Sequence, residues 1–283
     1  MAGVRARAMG RGVAATAAAV QPAVIVGGGR IGTALLEMGD GVSDVLLRRG
    51  DAWPSNAPEG PIYVCTRNDA LAGVVAGVPE ARRGDLVFTQ NGMLQPWLDE
   101  VGLGDATQCL LYLAVAKLGE KPTDGVTDAN PEGLTAAHGK WAQAMADRLA
   151  AGGMSCKVLP KGPFTAAMFE KLIWICAFML VGARHKCTVG EVEAQHAEEV
   201  GRLIKELLAA ATSECGASFD DADTVVVPRL MAYARSVAHF PTAVKEFEWR
   251  NGFFHGLSAQ ATAAGRPDPC PTHTAWLAEV GAI

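Results

Sequence analysis

The sequence predicts an α/β protein with an N-terminal Rossmann-type, doubly wound domain followed by an all-α C-terminal domain. Three observations support this fold class. Short apolar runs alternate with helical periods from residue 22 to about 160, a glycine-rich loop follows the first run, and only helical periods recur afterwards. Apolar runs without polar alternation are typical of parallel strands covered on both faces. A chain of 283 residues suits two domains.

The elements of the first half are read from these runs. The predicted strands are 23–27, 44–48, 61–66, 86–89, 109–116 and 155–159, and the predicted helices are 31–38, 70–78 and 140–151. A more polar, glycine-containing segment, 119–138, is predicted to be a hairpin region.

The sequence pattern changes at Pro160-Lys161-Gly162-Pro163, from alternating strand and helix patterns to helical patterns only. Two prolines and a glycine here discourage a helix or strand from continuing. We therefore predict a dinucleotide-binding domain over 22–161 and a helical substrate domain over 162–283. The helices predicted in the second domain are 164–181, 189–215, 222–238, 243–264 and 274–280.

The charge distribution argues against nucleic-acid partners. Residues 1–21 carry Arg5, Arg7 and Arg11 and no acid, and without these three the chain has 22 basic against 30 acidic residues, a balance of −8. A nucleic-acid binder needs a basic face. The basic, acid-free N-terminus predicts an organelle-targeting segment for plastid or mitochondrion, with a disordered tail of a cytoplasmic protein as the alternative.

Neither a membrane span nor a metal site is expected. The longest apolar run, 172–183, has twelve residues, too few to cross a bilayer, and is predicted to be a buried helix. The six histidines are scattered without a ligand motif, and the seven cysteines form no C-x-x-C pair, which favours reduced cysteines acting as small hydrophobes.

The loop after the first predicted strand has the spacing G-x-G-x-x-G and opens a predicted helix. In this setting Gly27 allows the tight turn, Gly29 lets a pyrophosphate approach the backbone, and Gly32 lets helix and strand pack closely. The free N–H groups and dipole of the helix N-terminus favour phosphate. The residues predicted to bind the cofactor here are Gly27, Gly28, Gly29, Arg30, Ile31 and Gly32.

Basic residues follow the second strand, where an NAD-binding domain usually has an acid. Arg48 and Arg49 lie about twenty residues after the first glycine, and Arg67 closes the third strand. Cations here can pair with a 2′-phosphate, so NADPH is favoured over NADH, although arginines at strand ends can also be solvated surface residues.

Two further residues are candidates for chemistry. Asn91, in the TQNG segment after the fourth strand, lies either in a simple turn or next to a nicotinamide ribose or substrate. Lys171 precedes an almost wholly apolar helical stretch. It is either a lysine that snorkels from a helix end or an ammonium in a partly apolar pocket, with a pKa low enough to protonate a ketone oxygen.

In order along the chain, these motifs resemble the ketopantoate reductase (2-dehydropantoate 2-reductase) family. The resemblance rests on GGGRIG at 27–32, CTR at 65–67, TQNGM at 89–93, the EKL segment at 170–172 and Glu246 five residues before an Asn-Gly pair. It extends from about residue 22 to 281. It implies a Rossmann domain and a helical domain, with the active site in the cleft between them.

Roles for individual residues follow from the resemblance. Lys171 matches the catalytic lysine, the general acid that protonates the substrate carbonyl as hydride arrives from NADPH. Glu246 matches a glutamate that contacts the substrate and positions that lysine. Asn91 matches an asparagine near nicotinamide and substrate, and Arg67 stands where the family often has a lysine for the cofactor phosphate.

The chain departs from the family at the substrate-binding positions. Ile175 and Met179 replace asparagines that hydrogen-bond the substrate, and 239–242 lacks the usual serine segment. The sequence thus predicts an NADPH-dependent reductase, monomeric or homodimeric, of a small 2-keto acid or similar carbonyl compound other than standard ketopantoate. The alternatives are a catalytically silent nucleotide- or partner-binding relative and a β-hydroxyacid or imine reductase.

Overall fold

The structure, a computed structural model, describes residues 20–115 and 117–283. The predicted targeting segment, 1–21, lies outside these residues except for its last two positions.

The N-terminal half is built on a seven-stranded sheet in the order β2-β1-β3-β4-β5-β8-β9, with β6 and β7 forming a separate pair. The strands are β1 (Val24–Val26), β2 (Val45–Leu47), β3 (Ile62–Val64), β4 (Leu86–Phe88), β5 (Thr107–Leu110), β6 (Leu113–Ala114), β7 (Thr123–Asp124), β8 (Ala136–His138) and β9 (Lys157–Val158). All neighbours in the large sheet are parallel except β5 and β8. This mostly parallel sheet confirms the predicted fold class.

Two strand predictions were wrong in detail. The run predicted as one strand, 109–116, divides into β5 and β6, which belong to different sheets. The break occurs because the amide of Tyr112 donates a hydrogen bond to Oγ1 of Thr135, 3.0 Å away, instead of continuing the ladder. The end of the predicted hairpin region, β8, lies antiparallel beside β5 in the large sheet.

Ten α-helices are described. They are α1 (Arg30–Glu37), α2 (Leu71–Gly77), α3 (Gln95–Glu100), α4 (Ala142–Ala151), α5 (Lys161–His185), α6 (Val189–Gln195), α7 (Ala197–Cys215), α8 (Val227–Ser236), α9 (Asn251–Ala263) and α10 (Pro271–Glu279). Of the helices described, only α5 is long and apolar enough to cross a membrane; 78% of its most apolar window is buried inside the protein, as in a core helix.

Three predicted helices are interrupted or begin later than predicted, because part of their backbone does not have α-helical geometry. The predicted helix 189–215 is divided at His196, whose φ of −127° interrupts it between α6 and α7. The predicted helix 222–238 begins with a π-helical turn, Ala222–Val226. The predicted helix 243–264 begins only at Asn251, after left-handed Glu246 (φ 47°) and a 3-10 turn, Phe247–Trp249.

Helix α5 connects the two halves of the molecule. It contacts β5 and β8 in the sheet and α6, α7 and α10 in the helical half. Buried residues of α5 and α7 form the core of the helical half, while apolar clusters on opposite faces of β1 and β3 cover the sheet. The domain division at 161/162 stays a prediction; in the structure it falls inside the first turn of α5.

A buried ion pair fastens α4 to the sheet half. Arg148 and Asp44, whose side chains are 0% and 1% exposed, are joined by two hydrogen bonds of 2.7 and 2.8 Å. Arg148 also donates to the carbonyls of Leu35 and Gln21, at 2.9 and 2.8 Å. These four hydrogen bonds from Nη1 and Nη2 compensate the guanidinium for much of its lost hydration, while its Nε is buried without an acceptor.

Candidate functional site

The glycine loop lies between the end of β1 and the start of α1 and combines close packing with open space. Gly27 has φ of +108°, and a Cβ on it would lie 3.0 Å from the backbone of Cys65. A Cβ on Gly32 would collide with the carbonyl oxygen of Gly27, whereas one on Gly29 would meet no atom within 4 Å. The first turn of α1 carries no acidic residue. The loop therefore leaves room for an anion at Gly29 and at the helix N-terminus.

A cavity of about 730 Å³ opens from this loop at the carboxyl ends of β1, β2 and β3. Sequence-predicted residues that line it are Gly27, Gly28, Gly29, Arg48, Arg49 and Arg67. Parallel strands whose chain order diverges to either side of β1 create such a crevice, where ligands of open α/β sheets bind. The structure thus brings three separately predicted arginines to one cavity.

The cavity also contains residues that the sequence did not single out. Trp53, Asp51 and Asp69 line it, so three arginines face two carboxylates. Asp69 forms an ion pair of 3.2 Å with Arg67 in which both side chains are largely exposed, and Asp51 accepts a hydrogen bond from the backbone of Arg48 at 2.7 Å. Net positive charge remains in the cavity. No local pattern marks Trp53, because the loop that follows β2 is irregular.

Two predicted cofactor residues do not line this cavity with their side chains. The guanidinium of Arg30 donates to the carbonyl of Val115 at 3.0 Å. Ile31 packs against the apolar cluster on one face of the sheet. In the first turn of α1, backbone amides are the groups that a helix N-terminus offers to a phosphate.

The loop that ends β4 is fastened to two parts of the molecule. Nε2 of Gln90 donates to the carbonyls of Val64 and Thr66, at 2.9 and 3.0 Å, and so holds the loop against the end of β3. The amide of Met93 donates to the carbonyl of Trp249 at 2.7 Å, which joins the loop to the segment before α9. Sequence reasoning missed Gln90, although its place beside Asn91 in TQNG was a usable signal.

Asn91 itself is exposed in this loop, and its carbonyl accepts a hydrogen bond of 2.9 Å from Nδ2 of Asn68. Asn68 is buried at the start of the 3-10 turn after Arg67. The side chain of Asn91 is therefore presented to solvent by a backbone that is fixed at both ends of the loop.

Lys171 lies in the middle of α5, 7% exposed, so the interpretation as a lysine that snorkels from a helix end is wrong. Its ammonium donates to the carbonyl of Leu111 and lies 4.5 Å from the centroid of the Tyr112 ring. Burial lowers the pKa of Lys171 to about 7; the nearby Cys109 opposes this shift, and the positive charge of Arg250 adds to it. An amine that titrates near neutrality is suited to proton transfer.

Glu246 does not bind Lys171 in the part of the chain that the structure describes. Its carboxylate accepts instead from Nη2 of Arg250, four residues later. Because Glu246 has a left-handed backbone, it precedes α9 rather than lying within a helix as predicted. Arg250, which the sequence analysis did not single out, therefore pairs with one predicted catalytic residue, and its charge acts on the pKa of the other.

The two apolar positions after Lys171 continue along α5. Ile175 is 6% exposed, and Met179 is partly buried against the same helical core. Spacings of four and eight residues place them on the face of α5 that carries Lys171. This face offers a ligand apolar contact and no side-chain hydrogen bond beyond the lysine.

One group of possible metal ligands is present among the residues described. Nitrogen and oxygen atoms of His185, His196 and Glu199 lie within 4.8 Å of one another, at the end of α5 and the start of α7. The two imidazoles stack at 3.7 Å, and Glu199 binds both His185 and Arg184. Since Arg184 already neutralises this carboxylate, we interpret the group as an ion-pair network; the expected absence of a metal site stays a prediction.

Sequence comparison identifies no relatives: no protein-family model matches the chain. No curated protein matches it significantly either. The structure, in contrast, is similar to many solved structures.

A ketopantoate reductase of the PanE/ApbA family from Ralstonia eutropha superposes with a TM-score of 0.64 at 15% identity, covering 92% of this chain and 97% of the other. The dimeric ketopantoate reductase from Staphylococcus aureus gives 0.63 at 15% identity, covering 92% and 98%. D-mandelate dehydrogenase, solved with NADH, gives 0.63 at 13% identity, covering 93% and 100%. At these identities the likeness is one of fold, and the chain has the two-part fold of these dehydrogenases: a Rossmann-type N-terminal part and a helical C-terminal part.

Proposed function

We propose that the protein is an NADPH-dependent reductase that converts a 2-oxo acid, or a similar carbonyl compound, to the corresponding hydroxy compound. The observation that carries the proposal is Lys171, a buried amine whose pKa is lowered to about 7, in a chain with the fold of dehydrogenases. The solved structures of similar fold include ketopantoate reductases and a D-mandelate dehydrogenase complex with NADH and anilino(oxo)acetate.

The cofactor assignment is supported by the cavity at the glycine loop. Open space beside Gly29 and an acid-free helix N-terminus suit a pyrophosphate. Arg48, Arg49 and Arg67 would hold the additional 2′-phosphate that distinguishes NADPH from NADH. When bound, the nicotinamide supplies the hydride that the carbonyl carbon accepts.

Lys171 would donate the proton that completes the reduction. Its ammonium transfers one proton to the carbonyl oxygen as the carbon receives hydride, leaving a neutral amine and a hydroxyl group. The lowered pKa makes the ammonium a stronger acid than an exposed lysine. The carbonyl of Leu111 and the ring of Tyr112 fix the position of the amine, and burial excludes water from it.

The substrate is expected to carry an apolar group next to its keto carbon. Ile175 and Met179 cannot satisfy a hydroxyl there, and a buried polar group without a partner costs about 1–3 kcal/mol. This cost argues against standard ketopantoate and in favour of aliphatic or aromatic 2-oxo acids.

The proposal is tested by following NADPH absorbance with a panel of aliphatic, aromatic and hydroxylated 2-oxo acids, and by titrating NADPH and NADH separately against protein fluorescence. We expect turnover with apolar 2-oxo acids, and tighter binding of NADPH than of NADH. Lys171→Ala should lose turnover and keep its affinity for NADPH, whereas Lys205→Ala, on the surface of α7, should change neither. Failure to bind NADPH at millimolar concentration would overturn the proposal.

The second candidate is a nucleotide-binding relative without turnover. It is favoured by one observation, namely that the amine of Lys171 is already bonded to the backbone at Leu111 and is followed by two apolar positions. Such a protein would bind NADPH and show no turnover with any carbonyl compound in the panel, and Lys171→Ala would change neither of these two results.

A further inference from the structure

Arg250 is a cation with unused hydrogen-bonding capacity at the junction of the two halves. Its side chain is 16% exposed, and Nη2 is paired with Glu246. Its Nε is buried without any acceptor. In the part of the chain that the structure describes, Nη1 has no hydrogen-bond partner either. A buried guanidinium N–H without an acceptor is unfavourable and is suited to an anionic ligand.

The backbone next to Arg250 is fixed against the loop that ends β4. The carbonyl of Trp249 accepts the amide of Met93 at 2.7 Å, and a side chain at Gly92 (φ +118°) would collide with that carbonyl. Arg250 is thus held where the helical half meets the loop of Asn91. The positive charge of Arg250 also contributes to the lowered pKa of Lys171, as expected for a neighbouring cation.

The positive charges near Arg250 favour the binding of an anion. Glu246 pairs with Arg250 alone, so a protonated Lys171 has no carboxylate partner, and Ile175 and Met179 add no polar group. In a 2-oxo acid the carboxylate is bonded directly to the keto carbon, so a carboxylate at Arg250 and a keto oxygen at Lys171 would belong to one small molecule. The charge of the substrate carboxylate, bound by Arg250, would take the place of the hydrogen bonds that the ketopantoate reductase family forms with asparagines at the positions of Ile175 and Met179.

We propose that Arg250 is the carboxylate-binding residue for a 2-oxo acid substrate, with its Nε–H donating to a carboxylate oxygen while the ammonium of Lys171 faces the keto oxygen. This assignment rests on the proposed reductase function and names its substrate class. Glu246 then acts as a positioning residue, which holds the guanidinium through Nη2 and leaves Nε free for the substrate.

The experiment compares a 2-oxo acid with its methyl ester as substrates of the wild type and of Arg250→Gln. For the acid, kcat/KM should fall about 10- to 100-fold in the variant, the loss expected for one charge-assisted hydrogen bond, while kcat/KM for the ester changes less than about 3-fold. Arg235→Gln, an exposed arginine paired with Glu193 on another face, should behave as wild type.

A second measurement keeps the assignment testable without turnover. Oxamate, an unreactive carboxylate analogue, should raise the melting temperature of the wild-type protein in NADPH and not that of Arg250→Gln. If oxamate stabilises wild type alone but no carbonyl compound is reduced, the reductase function fails and the anion site stands. If Arg250→Gln folds poorly, Glu246→Gln/Arg250→Gln keeps the local charge balanced and is compared in its place.

The outcomes that overturn the assignment are distinct. Equal loss for acid and ester in Arg250→Gln would mean that Arg250 only supports the fold around Glu246. Equal kcat/KM for acid and ester in the wild type, or an oxamate shift that survives in the variant, would mean that the carboxylate is bound elsewhere or not at all.

Discussion

Burial of Lys171 should make the stability of the protein depend on pH in a way that one substitution removes. The pKa falls from 10.5 to about 7 on folding. Between these pH values the unfolded chain holds a proton on Lys171 that the folded chain does not, so this group makes the folded state more stable as the pH rises. The slope is about 1.4 kcal/mol per pH unit, or about 5 kcal/mol over the whole interval.

Lys171→Met keeps most of the side-chain volume and removes the titration. At pH 7 and below, the variant no longer carries the cost of about 5 kcal/mol for deprotonating or burying the amine, so its free energy of unfolding rises by that amount. It also loses about 1–3 kcal/mol of stability, because the carbonyl of Leu111 is left without a partner. It should therefore be about 2–4 kcal/mol more stable than wild type there, and this advantage should shrink as the pH approaches 10.5.

Urea unfolding followed by tryptophan fluorescence and circular dichroism, at several pH values from about 6 to 10, measures this difference. Lys205→Met is the matched control, since Lys205 is 44% exposed and paired with Asp223 on the surface; its difference from wild type should be flat in this range. A difference between Lys171→Met and wild type that also stays flat would refute the burial argument.

The same pKa governs turnover if Lys171 is the proton donor. Only the ammonium can protonate a carbonyl oxygen, so kcat/KM should reach a plateau below about pH 7 and fall about tenfold per pH unit above it. A rate that rises from pH 7 to pH 9 would contradict the assigned role.

Three further changes have expected outcomes. Arg148→Met leaves Asp44 charged and buried, and should lower the free energy of unfolding by about 3–5 kcal/mol in urea titrations; a loss below 1 kcal/mol would contradict this. Gly32→Ala, whose Cβ collides with a loop carbonyl, should weaken NADPH binding at least about tenfold in fluorescence titrations, unlike Gly256→Ala, which meets no atom. Ile175→Asn should shift kcat/KM toward hydroxylated 2-oxo acids by about tenfold relative to aliphatic ones, measured by NADPH oxidation; an unchanged ratio would place Ile175 outside the substrate site.

The parallel strands could be predicted because their signal is local. A strand that is buried on both faces must be apolar throughout, so β1, β3 and β4 stand out as short runs. The glycine loop and Arg48 also carry local signals, since their spacing along one βαβ unit fixes where they meet in space.

The break between β5 and β6 could not be predicted because distant residues cause it. The carbonyl of Leu111 accepts from Lys171, sixty residues later, and the amide of Tyr112 donates to Thr135. Each bond removes a backbone group from the hydrogen bonding of the strand. The apolar run 109–116 contains no local signal for these contacts with distant residues. Tertiary contacts thus override a strong local preference.

The role of Arg250 could not be predicted either, because it also depends on tertiary structure. In the predicted helix 243–264 it would lie one turn after Glu246, as an ordinary i, i+4 ion pair on a solvated face. The left-handed backbone of Glu246, rare for a residue with a side chain, turns the chain before α9 and carries the pair into the junction at Trp249. Only the folded chain reveals that the guanidinium keeps a free N–H there.

The charges around Lys171 couple substrate binding to proton loading. With a pKa of about 7, the amine is about half protonated at neutral pH, and a carboxylate bound at Arg250 would raise that pKa by adding a nearby negative charge. Isothermal titration calorimetry of oxamate into the NADPH complex near pH 7, in two buffers of different ionisation enthalpy, measures the protons taken up on binding. The expected uptake is about half a proton per site. The uptake should vanish in Lys171→Met. Uptake that persists there would mean that another group takes the proton, and that the amine is not the acid that the substrate anion prepares for transfer.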